Sequence, residues 1–393
     1  MFGRNTVRCL RMLLKGCKYR QDQKEENMGR DKDLKEDPFE EYIREAEPDR
    51  RDSVYYWQTA IGLQAVDGLK TSGYLRETAR NNIEGNITIT RAQELIETYY
   101  REKPKENDDR TEEADKVAAR IAAILSEKAF VFSSAQYIAI HRKLFTGIYS
   151  HAGRMRDYNI TKSEWVLDGD TVLYGGAAEL EETLKYDLSQ EREFSFSGLT
   201  MQEVIRHLAR FISRLWQIHV FGEGNTRTTA VFFILYLRSL GFDVTNDIFA
   251  KNAWYFRNAM VRANYTNLKK GIHETTEYLE RFLENLILGK TNPLHNRSMH
   301  ISNAFEAEKA QSDPINDPIN GPIKLTGREE MLLRLLRETP DLTRKELSEK
   351  LGCSDSTIKR ELRYLSESGV IRRIGSRKTG VWAININLGC FSK

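Results

Sequence analysis

Hydrophobic residues recur along most of this chain at intervals of three and four, the spacing that lays one apolar stripe along an α-helix. The strongest stripe is Val204, Ile205, Leu208, Phe211, Ile212, Leu215 and Trp216, and His219 continues it. Ala230 to Leu237 is apolar without a break and Gly241 follows, which predicts a helix buried all round that stops at a left-handed glycine. The same spacing at Ala114, Val117, Ala118, Ile121, Ala122 and Leu125 predicts another helix, as do residues 247–265 and 273–288. Residues 53–100 read as three short helices. Trp57, Ala60, Ile61 and Gln64 share a face of the first, Asp67-Gly68 ends it, Ser72 caps the second, and Thr90-x-x-Gln93 is a capping-box pattern for the third. The period shifts at Trp165–Tyr174, where alternation around Asp-Gly and Gly-Asp predicts a two-stranded hairpin.

The pattern breaks after residue 290. Four of the eight prolines lie between 293 and 322, and Asp313-Pro-Ile-Asn is repeated at Asp317, so this stretch reads as a spacer. Beyond it, a helix around Met331–Arg337, a capping box Thr343-x-x-Glu346, a turn at Gly352, a third helix from Ser354 or Ser356 to about Ser366 and a Gly375/Gly380 hairpin spell a winged helix-turn-helix. Ile358, Leu362 and Leu365 would face its core. Ser356, Thr357, Lys359, Arg360 and Arg363 on the third helix, with Arg377 and Lys378 on the wing, are then the candidate DNA contacts. Seven basic residues against two acidic between 356 and 378 favour that partner over a purely protein-binding module.

Charge sharpens the picture. The net +3 of the 393 residues conceals two basic ends, residues 1–27 and 324–393, around a net acidic body, so only the ends suit a polyanion. Residues 1–27 read as a disordered basic tail, with Met28 a candidate start. Cys9, Cys17, Cys353 and Cys390 have no zinc-ligand spacing, and no apolar run reaches the roughly 20 residues of a membrane span. The expectation is a cytoplasmic protein with no membrane partner; a homodimer is compatible with it.

The chemistry concentrates in His219-Val-Phe-Gly-Glu-Gly-Asn-Thr-Arg227, a glycine-rich loop opening onto a helix N-terminus. Gly222 and Gly224 allow close backbone approach, and the free N–H groups and dipole of the next helix favour an anion. Asn225 and Arg227 suit a phosphate, Glu223 a Mg²⁺ ion, and His219 proton abstraction from a hydroxyl. His141 and His151 read instead as packing or capping residues.

His-x-Phe-x-Glu-Gly-Asn-x-Arg resembles the signature of the Fic family, which moves a nucleoside monophosphate, usually AMP from ATP, onto a protein hydroxyl. Ile140–Phe145 and Tyr149–Arg156 also resemble the Fic segment that precedes its target-binding flap. The resemblance implies a mainly α, Fic-type helical bundle with a β-hairpin flap, joined to the small α+β winged helix. It implies His219 as base, Gly222, Gly224, Asn225, Thr226 and Arg227 on the nucleotide, Glu223 on Mg²⁺, and Tyr174 on the flap that aligns a target protein, this chain itself included. The family pattern ends Gly-Arg-x-x-Arg, whereas Thr226 and Ala230 stand here. In the family that last arginine reaches the γ-phosphate and pairs with an inhibitory glutamate.

Ala60–Ser72 and Ile83–Thr88 look like the small antitoxin helices that repress Fic toxins. No stretch keeps the full repressor motif; Asp67 is the first choice for the inhibitory acid and Glu84 the second. With alanine at 230, the expectation is a loosely docked inhibitory helix. The expected order is a basic extension over 1–50, inhibitory helices over 51–110, the Fic domain over 111–289, a linker over 290–323 and the winged helix over 324–393. The alternative function is a DNA-binding regulator whose degenerate Fic domain senses a nucleotide.

Overall fold

The computed structural model describes residues 48–102, 110–244, 248–302, 323–368, 370–374 and 381–384. The expectations for residues 1–47, for the repeat between 303 and 322, and for Arg377 and Lys378 on the wing lie outside these. The described chain is mostly helical. In order it runs α1 (Pro48–Gly62), α2 (Gly73–Ile83), α3 (Ile89–Glu102), α4 (Thr111–Ser126), α5 (Ser134–Phe145), β1 (Asn159–Thr161), α6 (Leu180–Glu193), α7 (Met201–Ile218), α8 (Asn225–Ser239), α9 (Ile248–Ala263) and α10 (Glu277–Leu288). The C-terminal part adds β2 (Ile323–Leu325), α11 (Gly327–Glu338), α12 (Arg344–Leu351), α13 (Asp355–Glu367), β3 (Ile371–Ile374) and β4 (Val381–Ile384). Among the described residues no helix is long and apolar enough to cross a membrane.

α8 is the axis of the larger body. Every residue from Asn225 to Leu237 is buried, so the unbroken apolar run becomes a helix surrounded on all sides, ending before Gly241 at φ 91°. α7 packs along it through the predicted stripe and opens on a Thr200/Glu203 capping box, which satisfies donors at its N-terminus. α1 runs into a 3₁₀ turn, Leu63–Asp67, that stops at left-handed Gly68, and Ser72 caps α2 by accepting from the Leu75 N–H. These N-terminal helices share one core with α4–α10, α1 lying on α4 and α9. The third helix is capped by Thr88, which accepts from the Arg91 N–H at 3.1 Å, and not by Thr90.

Two further expectations are corrected. Trp165–Tyr174 forms no hairpin: Trp165–Leu167 is a 3₁₀ turn, Asp168 and Gly169 are left-handed, and the loop closes on itself through Glu164 N–H to Asp170 O and Gly169 N–H to Glu164 O. The alternation misleads because Val166, Leu167 and Val172 are all buried, which anchors the loop as a plug. The strand that does form, β1, pairs antiparallel with β2, Asn159 opposite Leu325 and Thr161 opposite Ile323. Residues 290–302 belong to the body and not to a spacer. Met299 is buried, Asn258 donates to Asn296 Oδ1, and Ile301 N–H donates to Val166 O. Ala230 is fully buried in the core.

The C-terminal part has its own core around Leu332, Leu336, Leu347, Ile358, Leu362 and Leu365. Thr343 and Glu346 form the predicted capping box, Gly352 makes the left-handed turn, Ser354 caps α13, and β3 pairs antiparallel with β4.

Candidate functional site

The site lies where α7 ends and α8 begins. His219 is the left-handed C-cap of α7, at φ 52° and ψ 58°, a conformation that costs a non-glycine residue about 1–2 kcal/mol. Arg156, unassigned by sequence reasoning, holds it. Its Nε donates to His219 O at 2.8 Å, its Nη1 to Tyr158 O at 2.6 Å and its Nη2 to Gly175 O, and its main-chain N–H reaches Val220 O. Arg156 is only 4 % exposed, and burial draws its pKa down to about 10.

The imidazole of His219 is buried, with the Tyr174 ring 4.3 Å away between centroids. Its Nδ1 has no hydrogen-bond partner among the described residues. Burial, reinforced by Lys162, Arg156 and Arg257, pushes its pKa well below the usual histidine value, so the ring is neutral. Tyr174 stands on no flap. Its hydroxyl donates to Glu164 Oε1 at 3.0 Å, and Glu164 Oε2 pairs with Arg257 at 2.7 Å, so the phenol forms a fixed wall against His219.

Both loop glycines are required by close approach. A Cβ at Gly222 would fall 2.5 Å from the Tyr158 hydroxyl, and one at Gly224, where φ is 76°, would fall 2.4 Å from the Phe145 ring. Gly224 is the N-cap of α8 and no side chain caps that turn, which leaves the anion-binding end of the helix free of competitors. Asn225 bonds the loop itself. Its Oδ1 accepts from Phe221 N–H and its Nδ2 donates to Phe221 O, so it staples the loop, with one amide N–H left over. Thr226 accepts from the Trp216 indole at 3.0 Å, tying α8 to α7. Beneath the loop, His141 accepts from Gly153 N–H at Nδ1 and donates to Glu223 O at Nε2. Burial takes its pKa down to about 3, so it is a neutral strut, as the sequence suggested. The Glu223 carboxyl makes no hydrogen bond or ion pair among the described residues, and burial pushes its pKa up to about 7.

Arg227 is completely buried. Its Nε lies 2.8 Å from Asp67 Oδ2, its Nη1 donates to Gln64 Oε1 at 3.1 Å, and its Nη2 donates to Glu113 Oε1 at 2.6 Å and to the Tyr149 hydroxyl at 3.1 Å. Its Cζ stands 4.8 Å from the centre of the Phe145 ring. Burial alone would raise the pKa values of Asp67 and Glu113, but Arg227 holds both below the ordinary carboxylate values. The expected loose docking is therefore overturned: the 3₁₀ turn is sealed, with Leu63 and Val66 fully buried and its terminal acid ion-paired. Glu84 takes no part, since its carboxylate accepts from Asn86 on the α2–α3 loop. Glu113, reading as an ordinary first-turn helix acid, gave no signal in the sequence.

Among the described residues no three His, Cys, Asp or Glu side chains converge to hold a metal by themselves. Glu223 fits Mg²⁺ in the way that ion is usually bound, one carboxylate with the donor's phosphates completing the shell. On the C-terminal part, Ser356, Lys359, Arg360 and Arg363 are exposed on one face of α13, while Thr357 is half-buried with its hydroxyl held by Ser354. Arg372 and Arg373 on β3 are also exposed.

Residues 131–237 match the Fic/DOC family model and residues 328–381 an HTH domain. Solved structures with a likeness to the chain include a Fic family protein from Desulfovibrio desulfuricans G20, at 13 % identity and TM-score 0.41 over 99 % of this chain and 97 % of that one. Another is the N-terminal Fic domain of a Bartonella effector protein from Bartonella sp. AR 15-3, at 18 % identity and TM-score 0.32 over 50 % of this chain and 79 % of that one. No curated protein matches the chain.

Proposed function

From the premise that residues 131–237 form a Fic/DOC family domain and residues 328–381 an HTH domain, we propose that this chain is a protein adenylyltransferase restrained by its own N-terminal helices. The observation that carries the reading is His219, a neutral buried imidazole beside the uncapped N-terminus of α8. Such a ring can take the proton of a target Ser, Thr or Tyr hydroxyl as the oxygen attacks the α-phosphate of ATP. The N–H groups opening α8 would bind phosphate oxygens, with Gly222 and Gly224 admitting them to the backbone. Mg²⁺, held by Glu223 and the phosphates, would supply charge neutralisation for the departing pyrophosphate. Arg156 keeps His219 in its left-handed turn, and Tyr174 walls the ring.

Asp67 acts on this reading as the inhibitory acid. It occupies the guanidinium of Arg227, the side chain best suited to fork onto a phosphate, and Glu113 shares that occupation. The exposed basic face of α13 would meet duplex DNA.

The test is incubation of the full chain and of Asp67→Asn with Mg²⁺ and each nucleoside triphosphate, read by intact mass. A gain of one AMP, absent in His219→Ala while ATP binding persists, is expected; loss of the base should cost about 10²–10⁴ in rate. ATP binding with no adduct on the chain or on any added lysate protein, in Asp67→Asn as in wild type, would reject transfer in favour of a nucleotide-sensing regulator.

A further inference from the structure

The larger body and the C-terminal part keep separate cores, and among the described residues neither core takes a side chain from the other. A main-chain ladder joins them. β1 and β2 pair over three positions, Asn159 opposite Leu325, Ile160 opposite Lys324 and Thr161 opposite Ile323, and among the described residues that sheet has no third strand. β2 is continuous with the winged helix, since Leu325 is buried in the C-terminal core and Thr326, the next residue, is the N-cap of α11. So short a ladder is marginal by itself, and main-chain pairing carries no sequence requirement, so another extended segment can take the place of β2.

β1 is fixed to the base. The Arg156 N–H donates to Val220 O at 3.0 Å, its Nε to His219 O at 2.8 Å and its Nη1 to Tyr158 O at 2.6 Å, so one residue ties the entry of β1 to the residue that carries the imidazole. The Tyr158 hydroxyl lies against Gly222, 2.5 Å from where a Cβ would stand, and Asn159 Oδ1 accepts from Ala177 N–H at 2.8 Å. Ile160 and Thr161 bury their side chains, which leaves the main-chain edge as the part of β1 that recognises a partner. A target hydroxyl must be held within hydrogen-bond reach of the base. A strand edge fixed to that base does this by register, because a paired segment turns alternate side chains to one face.

We propose that β2 occupies, from within the chain, the edge of β1 on which an extended segment of the target protein docks, so that the winged helix and the target compete for one strand. The assignment rests on the nucleotidyl-transfer reading above. Because β2 runs straight into the cap of α11, its release carries the winged helix off the β1 edge as a unit. The C-terminal part is then a lid on target access. It is separable from the restraint at Asp67, which acts on nucleotide through Arg227.

The experiment uses the full-length Asp67→Asn chain carrying Thr161→Cys and Ile323→Cys, directly opposite positions whose disulfide staples β2 to β1. Thr161 suits the exchange because its buried hydroxyl has no hydrogen-bond partner among the described residues. A companion variant, Ile323→Pro with Lys324→Pro, removes the main-chain donor to β1 whichever of the two successive residues supplies it. Three quantities are measured: binding of a fluorescent ATP analogue, labelling of lysate proteins from ATP labelled at its α-phosphate, and binding of a dye-labelled peptide of residues 319–327. With the bridge formed and confirmed by peptide mass, ATP binding should stay within about twofold while labelling falls about tenfold or more, and reductant should restore it. The proline variant should label more than its parent and bind the peptide, which the parent excludes because its own β2 competes at an effective concentration of about millimolar. Equal labelling by the bridged and reduced forms, or a folded proline variant that gains neither labelling nor peptide, overturns the assignment and leaves the transferase reading intact. An Asp67→Asn parent that transfers nothing to any protein rejects the transferase reading, and target docking on β1 with it.

Discussion

Replacing Asp67 by asparagine should open the nucleotide site. The substitution keeps the shape of the side chain and removes the charge facing Arg227, whose guanidinium is fully buried while Asp67 is 13 % exposed. A charge-assisted contact in such surroundings is worth about 1.5–3 kcal/mol. Arg227 retains Glu113 at 2.6 Å and Gln64 at 3.1 Å, so it is not stranded and the fold survives. If Arg227 must leave Asp67 to meet a phosphate, removing the pair raises ATP affinity by the free energy it contributed, roughly 10–150-fold. The same free energy is withdrawn from the ligand-free fold, at about 2–4 °C per kcal/mol for a body of 150–250 residues, so Tm should fall by several degrees. Titration with a fluorescent ATP analogue and Mg²⁺, beside melting curves with and without ATP, measures both. Glu84→Gln is the control, since that carboxylate bonds Asn86 and should change neither quantity. A lower Tm in Asp67→Asn without any gain in affinity would refute the reasoning, because the pair would then stabilise the fold without competing with ligand.

Gly224→Ala should cost both stability and nucleotide binding, since φ is 76° and the new methyl would sit 2.4 Å from the Phe145 ring; the conformation alone costs about 1–2 kcal/mol, visible in a melt. Docking of α1 should be independent of pH above about 5. Asp67 and Glu113 have folded pKa values below their ordinary 3.8 and 4.5, so their contribution is complete above those values and is lost as pH falls through the folded ones. Hydrogen exchange over residues 48–67, corrected for intrinsic rate, tests this, and loosening between pH 6 and 8 contradicts it. Duplex DNA binding should weaken with salt at a log–log slope near −4 to −5 if about five phosphates are neutralised. Charge reversal at the exposed Arg360 and Arg363 should flatten that slope, and an unchanged slope would remove α13 from the interface.

Helix existence was legible because it follows from short-range spacing. The stripe from Val204 to Trp216, the all-round burial of Ala230–Leu237 and the caps at Ser72, Thr343 and Ser354 each need only a few neighbouring residues to specify them. The site's second layer was not legible, for the complementary reason. Arg156 and Glu113 meet the 219–227 loop from far away in sequence, and each reads locally as a solvated charge. The hairpin expectation failed on a related ambiguity. Apolar residues around Asp168-Gly169 are as compatible with a buried plug as with alternating strands, and only the core that receives Val166 and Leu167 decides between them.

The expectation of a loose inhibitory helix failed because it sought the acid's partner at position 230. Positions 227 and 230 are three residues apart on α8, neighbours on one helical face separated by about 4.5 Å along the axis. An alanine at 230 closes the farther position into the core, while the guanidinium at 227 stands one turn nearer the loop. On the proposed reading the acid has shortened as well, from the glutamate of the family motif to Asp67, whose Oδ2 reaches Arg227 at 2.8 Å. On the proposed reading one guanidinium then serves two masters, phosphate and inhibitory acid, which the family pattern divides between two arginines. Docking of the 3₁₀ turn and capture of phosphate by Arg227 become mutually exclusive, and by linkage ATP must loosen the N-terminal helices as strongly as those helices weaken ATP.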